Sequence, residues 1–223
     1  MNRMKLSSLL VSLAALSACG ASQTDSNLQA DRRVGGMQKC TQVQNKVEKT
    51  YSSYNSIGIS ADAAGNCLVS LTYESGKDLL TFVDQVIADG LSPLTMVARG
   101  KTVRLTHEVI GQIVPEAFEG AEQIGFAVSS DLDSCNELKD QFTKSLGANP
   151  HKSFAVNGIG IGQRFGGECN ISVHFESAAG YRKYVATRVR KQLDPTSHVG
   201  KVINGNTYRI YVEASQTGPI LPL

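Results

Sequence analysis

The stretch IGISADAAGNCLVSLTYES, residues 57–75, returns without a gap as IGIGQRFGGECNISVHFES at 159–177, a spacing of 102 positions. Ile57, Gly58, Ile59, Gly65, Cys67, Ser70, Glu74 and Ser75 meet identical residues at Ile159, Gly160, Ile161, Gly167, Cys169, Ser172, Glu176 and Ser177. Self-similarity at a fixed period is the mark of internal duplication, so the chain reads as two copies of one unit.

Within each copy the hydrophobic period changes in a set order. Met37, Cys40, Val43, Val47 and Tyr51 share one helical face. Asn55 to Ala61 and Cys67 to Tyr73 read as strands joined by a turn through Asp62, Gly65 and Asn66. In the return strand Cys67, Val69, Leu71 and Tyr73 alternate with Leu68, Ser70, Thr72 and Glu74, as expected of a sheet with one buried and one wet face. Ser75 caps a helix with Leu79, Leu80, Phe82, Val83, Val86 and Ile87 on a broad apolar stripe, ended by Gly90 and Pro93. Lys101 to Thr106 is the third strand.

The second copy opens with a strand at Ile124 to Ser129, followed by a helix capped at Asp131 or Asp133 and running to about Leu146. Strands at Lys152 to Gly162 and Cys169 to Phe175 come next, then a helix over Ala178 to Leu193 and a closing strand at Asn206 to Val212. In that strand Thr207, Tyr208, Arg209 and Ile210 are aligned with Thr102, Val103, Arg104 and Leu105. The pattern predicts an α+β fold: a tandem duplication of a two-layer α/β sandwich on a ferredoxin-like plan, (β)αββαβ, with two helices against one face of an antiparallel sheet. The opening strand of the first copy would lie near Arg32 to Gly35. The units are expected at 36–108 and 124–215, with a connecting seam at 109–123 and an irregular tail at 216–223.

Four cysteines fall two per copy at matching places, Cys40 and Cys67, Cys135 and Cys169. Three pairings are open to four cysteines, and the duplication selects Cys40 with Cys67 and Cys135 with Cys169. Parity agrees, because each partner points into its own unit's core. Closing loops of 27 and 34 residues, such bridges are worth roughly 3 to 4 kcal/mol each. Metal ligation would require closely spaced pairs such as C-x2-C, which this spacing excludes.

The fifth cysteine has another setting. Arg3 and Lys5 precede an apolar run from Leu6 to Leu16, a layout typical of a secretory signal peptide over 1–18 and too short to span a bilayer. The run ends Leu16, Ser17, Ala18, Cys19, and this tetrapeptide resembles the lipobox of bacterial lipoproteins. The resemblance implies that Cys19 is acylated after cleavage, palmitate among its chains, and holds the protein to a membrane through two or three acyl chains. Gly20 after the cysteine implies the outer membrane of a Gram-negative cell, with the domain in the periplasm or on the surface. Residues 19–35 are the lipidated cysteine and a polar tether.

Arg3 and Lys5 are the only charges of the first 18 residues, so their removal takes 22 basic side chains to 20, equal to the 20 acidic ones. A balanced chain gives no electrostatic case for nucleic acid. The run Gly158, Gly160, Gly162 lies within a strand and not between a strand and a helix, which excludes a dinucleotide fingerprint; close packing or a bared sheet face explains it better. His107, His151, His174 and His198 have no metal-ligand spacing, and no nucleophile motif marks a hydrolase. No catalytic residue, metal or cofactor is therefore assigned. Glu74, Arg104, His174, Glu176, Arg209 and Tyr211 fall on the polar sheet face and form a candidate binding face. These features point to an interaction or structural module of the envelope, with an envelope protein as partner. A hydrolase or a small-molecule carrier, with its site in the cleft between units, is the alternative.

Overall fold

A computed structural model describes residues 38, 40–61, 66–98, 100–111, 126–127, 131–163, 167–202 and 204–220. In the first unit a helix over 40–50 (α1) precedes β1 (Ser56–Ala61), β2 (Cys67–Tyr73), α2 (Gly76–Ala88), β3 (Thr95–Ala98) and β4 (Lys101–Val109). In the second, β5 (Phe126–Ala127) precedes α3 (Leu132–Ser145), α4 (Pro150–Phe154), β6 (Val156–Gln163), β7 (Cys169–Phe175), α5 (Ala178–Arg190), β8 (Ser197–Lys201) and β9 (Thr207–Gln216). The duplicated α+β architecture is thus realised from α1 to β4 and from α3 to β9, with the short α4 as the one extra element of the second unit.

Connectivity inside each unit differs from the expected plan in two respects. The sheets are mixed, with order β1-β2-β4-β3 in the first and β6-β7-β9-β8 in the second, where the short β5 also pairs in parallel with the start of β9, and their central pairs β2/β4 and β7/β9 are parallel. Each unit also closes with a hairpin, β3/β4 or β8/β9, where one strand was expected. The extra strands follow Pro93 and Pro195 and are buried on nearly every residue, so they lack the alternation that makes a strand visible. Lys152 to Phe154, read as strand, belongs to α4, which Asn149 caps with Pro150 in the first turn. The left-handed residue Ala155 then turns the chain into β6. The expected strand at Arg32 to Gly35, the turn residues Asp62 to Gly65, Phe165 and seam residues 112–123 lie outside the described residues.

Sheet register also corrects one alignment. Thr95 pairs with Arg104 in the first hairpin and Ser197 with Tyr211 in the second, so the second hairpin is five residues longer. Arg104 therefore corresponds to Tyr211 and not to Arg209, although all three point to the same sheet side.

Each core forms where the strand and helix patterns meet. Cys67, Val69, Leu71 and Tyr73 of β2 are buried against Leu79, Phe82 and Val83 of α2 and Val43 and Val47 of α1. Ile171, Val173 and Phe175 pack in the same way with Tyr181, Tyr184 and Val185 of α5 and Leu138 and Phe142 of α3. Disulfides Cys40–Cys67 and Cys135–Cys169 tie α1 to β2 and α3 to β7. Ser75 caps α2 in a reciprocal box with Asp78, and Asp131 and Ser177 cap α3 and α5. Strand β4 ends where the chain comes hard against the carbonyl of Glu74 at Gly111, and β9 repeats this with Gly218 on the carbonyl of Glu176. Only a residue without Cβ fits there.

The two units join mainly through their second helices. The start of α2, at Gly76, meets Val189 near the end of α5, and Asp84 receives both Nε and an Nη of Arg182, at 2.6 and 3.2 Å. The helices therefore run antiparallel. Flanking contacts cross the junction as well: the Val109 N–H donates to Thr196 Oγ1 at 2.9 Å, and the Ser92 hydroxyl donates to Oε1 of Gln216, the residue equivalent to Val109.

Candidate functional site

Because strand side chains alternate, the α2–α5 packing that buries one side of each sheet leaves the other sides to meet beside β4 and β9. Leu68, Ser70 and Thr72 of β2, Thr106 and Glu108 of β4, and Tyr211 and Glu213 of β9 line a cavity of about 150 Å3 there. His107, Tyr181, Pro195 and Thr196 also line it, together with the apolar Leu71, Val212 and Ala214. The lining is rich in hydroxyls and carries two carboxylates. Thr106 donates to Ser70 at 3.1 Å, and Thr196 Oγ1 donates to Asp194 at 2.8 Å while accepting the Val109 N–H.

His107 is the least ordinary residue of this wall. Its Nε2 lies 2.7 Å from the Pro93 carbonyl and its Nδ1 lies 2.9 Å from the Tyr73 hydroxyl. A carbonyl only accepts, so Nε2 carries the proton and Nδ1 accepts from Tyr73. The ring stacks on Tyr181 of the second unit at 6.0 Å and also touches Phe82. Burial pushes its pKa down to about 4, only partly opposed by the bond to Pro93. A neutral imidazole with both nitrogens engaged holds the junction together and is not a free base.

No family model, curated protein or solved structure matches the chain. Among the described residues, no three His, Cys, Asp or Glu side chains group as metal ligands, and no helix is long and apolar enough to cross a membrane.

The six polar residues singled out in the sequence do not form one site. Tyr211 lines the cavity, and the Arg209 guanidinium lies 5.0 Å from the centre of its ring. Arg104 is exposed farther along β4. His174 hydrogen-bonds through Nδ1 to Ser215 at 2.6 Å, two strands that pair in parallel. Glu176 meets His151 Nε2 at 2.9 Å, both half in solvent. Glu74 lies in a separate depression of about 470 Å3 with Lys77, Gln192 and Asp194, where the end of α5 faces the start of α2. Sequence reasoning missed Glu108, Glu213, Thr196 and Tyr181 as neighbours. The parity of β4 and β9 marks both glutamates as outward, but only the docking of the units brings them to one cavity.

Proposed function

We propose that this is an exported, lipid-anchored protein of the bacterial cell envelope that acts by binding, with the inter-unit cleft as its recognition surface. The observation that carries the reading is the cavity itself, where β2, β4 and β9 bring hydroxyls and two carboxylates together. What supports the compartment is the lipobox-like end of the signal segment and the two disulfides, which fit an oxidising environment. The partner is an envelope protein presenting hydrogen-bond donors to Glu108 and Glu213.

A photo-cross-linking amino acid placed at Thr72 or Glu108 in the living cell tests this. Discrete adducts from these positions and none from exposed Lys49 on α1 are expected. Equal labelling at all three positions, or none at any, would refute the cleft as the recognition surface.

A further inference from the structure

Strands β1 and β6 stand at the edges of their sheets. Each pairs with one neighbour, β2 or β7, and among the described residues no strand lies on the other side. An edge strand presents a row of unpaired N–H and C=O groups, which proteins commonly blunt with lysine, proline or an inward charge. Neither strand has any of these: β1 reads SIGISA and β6 reads VNGIGIGQ. The one irregularity of β6 is confined to its start, between Val156 and Gly158.

Both strands also read alike in either direction. About Gly160, Ile159 mirrors Ile161, Gly158 mirrors Gly162, and the amide of Asn157 mirrors that of Gln163. About Gly58, Ile57 mirrors Ile59 and Ser56 mirrors Ser60. Two identical strands related by a twofold axis pair antiparallel, and each residue then faces the one at its mirror position. In a β6–β6 pair with the axis at Gly160, isoleucine would meet isoleucine and glycine glycine, while Asn157, at the irregularity, already donates to Thr217 at 2.8 Å. Ile159 and Ile161 pack on the core with part of their surface still open, and the isoleucines of a second copy would cover that surface as cross-strand pairs.

We infer that β6 is a self-docking strand, through which two copies of this chain join antiparallel about Gly160 into one continuous sheet. Strand β6 is favoured over β1 because it has eight residues to six, and its mirror pattern extends one position farther on each side. The surface is independent of the cleft, which β7 separates from β6 in the sheet.

Sedimentation of the purified full chain, unaltered and carrying Gly160→Lys or Gly160→Glu, provides the test. A side chain at Gly160 has room within the chain, since an added Cβ would come no nearer than 4.0 Å to Ser172, while two copies would bring like charges together on the axis. Expected are a reversible dimer for the unaltered chain, at least a tenfold weaker association for each variant alone, and recovery when the two variants are mixed. Gly58→Lys should leave the dimer intact. An unaltered chain that stays monomeric at every concentration, a dimer that survives Gly160→Lys, or one lost with Gly58→Lys would overturn the inference. If Gly160→Lys fails to fold by circular dichroism, Gly162→Lys replaces it, because a Cβ there meets nothing within 4 Å.

Discussion

Acidification should weaken the fold through His107. Above 6.5 the imidazole is neutral whether the chain is folded or not. Between 6.5 and about 4 the unfolded chain binds a proton that the folded one refuses, so stability falls as pH falls, and the loss is complete below about 4. At 1.36 kcal/mol per pH unit the interval amounts to about 3 kcal/mol, or roughly 2 if water in the adjoining cavity eases protonation. The phenols that face it, Tyr73 and Tyr181, carry no charge anywhere in this range, and burial raises their pKa further still. Urea unfolding of the unaltered chain and of His107→Gln, each followed across this range, isolates the effect. Glutamine can still donate to Pro93 and accept from Tyr73 but does not titrate. The two stability curves should converge by about 2 to 3 kcal/mol as the pH drops. Parallel curves would refute the argument, because every other acid-sensitive group is common to both proteins.

Other consequences follow from the repeated features. Gly111→Ala and Gly218→Ala should each cost upwards of about 2 kcal/mol in denaturant unfolding, since the new Cβ would strike a backbone carbonyl, whereas Gly162→Ala should change stability by less than about 0.5 kcal/mol. Replacing Cys135 and Cys169 together by alanine should destabilise by roughly 4 kcal/mol given the 34-residue separation, and non-reducing peptide mapping should recover only the pairs Cys40–Cys67 and Cys135–Cys169. Mass spectrometry of protein extracted from membranes should find the mature chain beginning at an acylated Cys19; an unmodified Cys19 would remove the anchoring reading.

What could be read from the sequence divides along physical lines. The duplication, both disulfides, the capping serines Ser75 and Ser177, and the buried parity of β2 and β7 follow from local pattern, and local pattern survives in a string of letters. Strands β3 and β8 were illegible because residues such as Met96 and Val199 are covered by tertiary packing on a stretch with no polar alternation. The shift of Arg209 against Arg104 was hidden in a loop whose length differs between copies. His107 was the hardest to place. In the sequence it lies one residue past the expected strand end at Thr106 and has no metal-ligand spacing, and only the pairing of β2 with β4 and the docking of α5 show that Tyr73, Pro93 and Tyr181 enclose it.

The bond between Asp84 and Arg182 has no counterpart on the opposite side of the junction, where the duplication places Leu80 and Ala186. Around it the two helices have drifted in opposite senses. α2 carries Asp78 and Asp84 against the single Lys77, while α5 carries Arg182, Lys183, Arg188 and Arg190 without an acid. Two separate but identical subunits could never have diverged in this way, because one gene would have altered both at once. Fusion into a single polypeptide allows a first half that prefers the second half to another first half. The charge pattern then acts as a polarity label, directing the helices toward each other within a molecule and keeping that pairing distinct from the uncharged β6 edge proposed for contact between molecules.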